Sequence, residues 1–218
     1  MIAPRFSLLG TTAALWDAAD GPADLPMQQR IWALAETVER WDDLREAVPG
    51  MNNLMLVFRN PPPDLAAFRG RLAAAWAGAA PLPRAGRVIE LPVHYGGEWG
   101  PHMDDVLAHT GLSLDELVER HAGPLYPVFA LGSHPGYCYL GGMDARITTP
   151  RRQIPVLRIP GGAVSIGGAQ TGVSASDGPS GWNTIGHTDF TFFDPTRSPP
   201  ALLQPGDSIR FRPVRVTR

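Results

Sequence analysis

Ile159-Pro160-Gly161-Gly162-Ala163-Val164-Ser165-Ile166-Gly167-Gly168-Ala169-Gln170-Thr171-Gly172-Val173 is the stretch on which the reading of this chain turns. Five glycines fall within residues 161–172. Each costs backbone entropy and offers no side chain to pack, so an ordinary strand or helix is not expected here. Bare backbone suits tight turns or the close approach of a ligand. A second segment follows, Gly178-Pro179-Ser180-Gly181-Trp182-Asn183-Thr184-Ile185-Gly186-His187-Thr188. Gln170, Thr171, Asn183 and Thr184 set uncharged amides and hydroxyls among these glycines, the chemistry of a neutral binding surface.

The 218 residues around it suffice for one large domain or two small ones, either with a proper core. Hydrophobic residues at 44% and charged ones at 18% place the chain among soluble globular proteins. A formal charge of −2 gives no electrostatic case for nucleic acid. All 19 basic residues are arginine. Without lysine there is no P-loop lysine, no Schiff base to pyridoxal phosphate and no biotinylated lysine on this chain. Phosphate or carboxylate must be held by arginine forks, backbone amides or a partner. The single cysteine, Cys138, excludes an internal disulfide framework and suits a reducing cytoplasm. Phe6 to Trp16 is apolar, yet one arginine precedes it and Asp17 and Asp20 follow, so a first strand is expected rather than an export leader. No apolar run reaches the length of a membrane span.

Glycine use divides the chain near residue 85, with five of 24 before it and nineteen after. Residues 1–80 read as a small α/β sandwich. Ile31, Leu34, Ala35, Val38 and Trp41 form one helical stripe, and Leu65, Phe68, Leu72 and Trp76 a second, capped by Asp64. Asn53 to Phe58 is a compact apolar run, hence a buried strand. Ala77 to Arg87 reads as linker. Residues 86–218 open with a strand from Arg87 to Val93. Helices are expected at Met103–His109 and Leu114–His121, the latter with the capping box Ser113-x-x-Glu116. Short β runs are then expected at Leu125–Leu131, Pro155–Ile159, Ala163–Ile166, Phe190–Phe193 and Ser208–Val216, a spacing that argues for a barrel or sandwich. The fold class is therefore α+β.

Five motifs carry a family resemblance. They are Tyr95-Gly96-Gly97-Glu98-Trp99-Gly100-Pro101; Pro135-Gly136-Tyr137-Cys138-Tyr139-Leu140-Gly141-Gly142; Thr149-Pro150-Arg151-Arg152; Gln170-Thr171-Gly172; and Gly181-Trp182 with Ile185-Gly186. In this order the chain resembles the family that holds the B component of 5-oxoprolinase, the first component of allophanate hydrolase and the sporulation-kinase inhibitor. The resemblance implies a cyclophilin-like β-barrel for residues 86–218 and a smaller α/β domain before it. It also implies a homologous partner subunit, in the oxoprolinase case a third subunit, and the use of ATP with Mg2+; the absence of lysine argues against a complete ATP site on this chain alone and for one held mainly by a partner. The chain departs from the family pattern where Ala163 precedes Ser165, the hydroxyl having moved by two residues. Ser174 and His187 replace a tyrosine and an arginine.

Candidate site residues follow from chemistry. His134, on a Gly-Ser-His-Pro-Gly turn, is the proton-transfer candidate, with a purely structural turn as the rival reading. Arg151 and Arg152 are adjacent and point to opposite faces of an extended segment, so one can grip a carboxylate or phosphate while the other is solvated. Gln170 and Thr171 offer an amide and a hydroxyl to a lactam, or else satisfy local backbone. Glu98 is a possible base or a tether for backbone amides, and Tyr137 and Trp182 are ligand walls or packing residues. Five of six histidines lie between 94 and 134 without any metal-ligand spacing, so no metal site is assigned. Apart from His134, solvated or capping roles are expected for them. The expected function is a subunit of an ATP-dependent, 5-oxoprolinase-type amidohydrolase that cleaves a cyclic or linear amide. The rivals are a regulator docking on a histidine kinase and a paralogue with another amide or carboxyl-transfer substrate.

Overall fold

The computed structural model describes residues 4–18, 21, 23–81, 83 and 86–218. The chain divides into two compact units, Met1–Arg84 and Ala85–Arg218. Of the expected linker, Leu82, Arg84 and Ala85 lie outside the described residues, as does Asp20.

The first unit is an antiparallel sheet with two helices. Its strands are β1 (Arg5–Leu9), β2 (Ala13–Asp17), β3 (Leu44–Pro49) and β4 (Asn53–Phe58), ordered β1-β2-β4-β3. The single strand expected over Phe6 to Trp16 is instead a hairpin, because Gly10 (φ +64°) turns the chain within Gly10-Thr11-Thr12. Helices α1 (Leu25–Val38) and α2 (Leu65–Gly78) are capped by Asp24 and Asp64, whose carboxylates accept from Met27 and Ala67 N–H. Trp41 lies past the end of α1. Alternate residues Ala14, Trp16, Leu54, Leu56 and Phe58 meet Ile31, Leu34, Val38, Phe68 and Leu72 in one core. Gln28 is buried on α1, and its Oε1 accepts from the N–H of Asn52 at 2.7 Å, supporting a turn residue at φ +53°. Arg30 donates to the carbonyls of Trp76 and Ala79 and so closes the C-terminus of α2.

The second unit is a curled mixed sheet. Its strands are β5 (Val88–Gly96), β6 (Tyr126–Leu131), β7 (Cys138–Leu140), β9 (Ala163–Gly167), β10 (Gln170–Val173), β12 (Asn183–His187) and β13 (Ser208–Thr217), ordered β10-β9-β12-β5-β13-β6-β7. A separate two-stranded ribbon pairs β8 (Val156–Ile159) with β11 (Gly178–Ser180). The edge strands β10 and β7 approach each other, so the sheet nearly closes into a barrel. The long parallel pairing of β5 with β13 slips between Pro213 and Arg215, where proline has no N–H for the ladder. Helices α3 (Met103–Thr110) and α4 (Leu114–Ala122) bury Met103, Val106, Leu117 and Val118 in the barrel core, and the Ser113–Glu116 capping box opens α4.

Two expectations fail here. Phe190–Phe193 is not a strand; Phe193 makes an isolated bridge to Ala201, and Pro199 and Pro200 withhold the donors a ladder needs. The expected run Ala163–Ile166 is β9, but the glycine-rich residues after it are not turn alone: they form β10 and, beyond the ribbon, β12. Val164, Ile166, Val173 and Ile185 alternate into the core, and that burial outweighs the entropy of glycines on the opposite face.

His121 is neither solvated nor a cap; it is fully buried on α4. Its Nδ1 lies 2.8 Å from the Tyr95 hydroxyl and its Nε2 2.8 Å from Thr171 Oγ1. Thr171 Oγ1 donates its proton to the Ser165 carbonyl at 3.1 Å. The Nε2–H of His121 must therefore donate to Thr171, and Nδ1 accepts from Tyr95. Burial lowers the imidazole to about pKa 3, so the ring is neutral. Because the folded value lies below the unfolded one, stability is fully present above about pH 6.5 and falls as pH drops towards 3. Going from pH 6.5 to 5 should cost this unit about 2 kcal/mol in urea unfolding. His121→Gln should remove most of that slope; an unchanged slope would show that His121 is not the group responsible.

Candidate functional site

Where the edge strands meet, the outward faces of β9 and β10 floor a cavity of about 200 Å³. Ala163, Ser165, Gly172 and Ser174 come from the floor, Ser133, His134 and Tyr137 from the β6–β7 loop, and Pro179 to Trp182 from the ribbon side, with Arg151 beside them. Glycine makes this geometry possible. A Cβ on Gly167 would lie 2.5 Å from the Trp182 ring, and one on Gly172 2.9 Å from the Tyr137 hydroxyl. Both aromatic rings therefore pack directly on peptide backbone.

The β6–β7 loop is a tight device. His134 N–H donates to the Gly132 carbonyl at 2.8 Å, which puts Ser133 at φ +67°. Tyr137 and Gly132 then bond across the loop's base. This turn aims His134 at the cavity, with its ring 5.1 Å from that of Tyr137. Its Nε2 is buried and, among the described residues, has no hydrogen-bond partner. An imidazole nitrogen in that state can accept or donate one hydrogen bond to a guest.

Arg151 and Arg152 diverge. Arg152 bonds Asp105 at 2.8 Å, whereas the Arg151 guanidinium lies 5.5 Å over the Trp182 ring. Among the described residues no carboxylate pairs with Arg151. The twelve lining residues include no Asp or Glu. An unpaired guanidinium beside hydroxyls and aromatic walls suits a small carboxylate carrying a planar, uncharged body.

His134, Tyr137, Arg151 and Trp182 are thus brought together. The other expected residues lie elsewhere. Thr171 points inward to His121, because strand alternation turns it away from Gly172. Gln170 opens β10 outside the cavity wall, and Glu98 is exposed on the 3-10 turn Gly97–Trp99. Asn183 donates to the carbonyls of Pro150 and Ile166. His187 bonds the Gly161 carbonyl at 2.9 Å and stacks on Trp99 at 4.7 Å, also outside the cavity wall. Ser133, Ser165 and Ser174 line the cavity although the sequence reading does not mark them as binding residues; period-two alternation through the glycine run points to the last two. Burial pushes the Cys138 thiol up to about 12, so it is no nucleophile at neutral pH.

The family model "Carboxyltransferase domain, subdomain C and D" matches residues 4–203. The chain belongs to this carboxyltransferase-domain family. The B component of 5-oxoprolinase from Escherichia coli O157:H7 is 44% identical over 211 residues, which are 97% of this chain and 96% of that protein. The crystal structure of TTHA0988 superposes with a TM-score of 0.77 at 34% identity, covering 93% of this chain and 40% of that longer chain. The K. lactis urea amidolyase structure, 19% identical, shares the fold with a TM-score of 0.75 over 97% of this chain and 15% of that one. No helix among the described residues is long and apolar enough to cross a membrane.

Gly167→Ala should destabilise the protein by about 1–3 kcal/mol, since Trp182 must leave its seat. Gly181→Ala, with nothing within 4 Å of the added carbon, should be nearly neutral. Urea unfolding followed by tryptophan fluorescence distinguishes the two, and equal effects would contradict the packing described.

Proposed function

We propose that the chain is a subunit of an ATP-dependent 5-oxoprolinase-type complex and that the cavity holds the lactam acid. What carries the reading is the 44% identity over 97% of the chain to the B component of a 5-oxoprolinase. Supporting it, the cavity pairs one free guanidinium with neutral donors and no competing carboxylate. In this reading Arg151 binds the substrate carboxylate, Tyr137 and Trp182 flank the ring, and His134 Nε2 handles a proton as the ring C–N bond opens.

ATP supplies the driving force for opening a stable lactam, but the cavity does not fit it. About 200 Å³ falls below the roughly 300–1,000 Å³ of pockets that enclose drug-sized ligands, and a nucleoside triphosphate is larger still. The chain has no lysine, and among the described residues no cluster of three His, Cys, Asp or Glu side chains is placed for a metal. In this reading the nucleotide and its Mg2+ are held mainly by a partner subunit rather than in this cavity.

The complete complex should convert 5-oxoproline and ATP to glutamate. Arg151→Ala should lower kcat/KM about 10–100-fold, the value of one charge-assisted bond, chiefly through KM. His134→Ala should lower kcat instead. A complete complex without turnover would reject the reading, and full activity in both variants would reject the site.

A further inference from the structure

We infer that Ser165 determines which amide this cavity accepts, an inference that rests on the cavity being the substrate site proposed above. Ser165 stands between Ala163 and Gly167 on the outward face of β9 and is only 4% exposed. Strands β10 and β12 pair with β9 on either side, so its backbone is fixed laterally. From below, its carbonyl accepts from Thr171 Oγ1, the end of the chain that begins at Tyr95 and His121.

Among the described residues the Ser165 hydroxyl has one hydrogen-bond partner, Thr184 Oγ1, at 3.2 Å, and either oxygen can donate. Thr184 is itself held, because its N–H donates to His102 Nδ1 and its carbonyl accepts from His102 N–H. Two hydroxyls that share one hydrogen bond retain one undonated proton and spare lone pairs between them. An amide offers one carbonyl acceptor and one N–H donor, the complement of that pair. Ser133 is exposed on its loop, Ser180 Oγ already accepts from Trp182 N–H at 3.1 Å, and Ser174 is half-buried beyond the end of β10; the other floor residues, Ala163 and Gly172, bring no side-chain donor. A buried hydroxyl on a fixed strand sets the depth at which an amide is read, while Arg151 takes the acid end. The distance between the two then selects ring size.

The test compares 5-oxoproline with its six-membered homologue, 6-oxopiperidine-2-carboxylate, by calorimetric titration of the full chain and by KM in the complete complex. The wild type should prefer one ring by about tenfold or more. Ser165→Ala should bring the two within about threefold, because the hydroxyl that scores the amide is gone. The Ala163→Ser/Ser165→Ala double variant moves the hydroxyl about 6.7 Å along the same wall and should change the preferred ring. Urea unfolding checks that each variant is folded. An undiminished preference in Ser165→Ala overturns the inference, as does wild-type chain that binds neither compound. Ring discrimination that depends on Ser165, in a complex without turnover, would instead retain the inference and reject the enzymatic reading.

Discussion

Strand β10 is held from both faces, and the site depends on that. Thr171 reaches inward to the neutral ring of His121, while its neighbour Gly172 lies outward against Tyr137. One strand thus fastens helix α4 to the barrel and floors the cavity. The two roles are inseparable, since period-two alternation sends adjacent residues to opposite faces. The inward bond sits in a fully buried setting, where a lost partner would leave a polar group without water. The outward contact needs a position with no Cβ. Neither requirement leaves much choice of residue.

The cavity lies where the sheet fails to close by hydrogen bonds. Edge strands expose unpaired backbone, and here that edge is covered by the β6–β7 loop and the β8–β11 ribbon instead of a ladder. Loop, ribbon and strand each contribute polar groups to one small space. Arg152 is paired with Asp105 and Arg158 with Asp177, whereas among the described residues Arg151, the one arginine in the cavity wall, has no carboxylate partner. An arginine-only chain makes that fork the natural anchor for a carboxylate.

Much of the fold can be read from local pattern. The helical stripe Leu65-Phe68-Leu72-Trp76 with its Asp64 cap, and the apolar run Asn53–Phe58, are complete signals within a few residues. The glycine run misleads when propensity is weighed without alternation: Val164, Ile166 and Val173 already mark an inward face. Of the site, the Gly-Ser-His-Pro-Gly turn and the divergence of Arg151 from Arg152 are legible, being properties of short segments. His121 is not, since its partners Tyr95 and Thr171 are distant in sequence and only the closed sheet brings them together. Thr171 stands out for its chemistry, but its hydroxyl is consumed in the core. Chemical type can be read from sequence; facing depends on register.

The most direct measurement is a crystal structure of the chain grown with 5-oxoproline. The ring should lie between Tyr137 and Trp182 above the β9–β10 floor, with its carboxylate on Arg151 and its amide within hydrogen-bond reach of Ser165. Ligand bound elsewhere on the chain, with Arg151 left facing solvent, would contradict it.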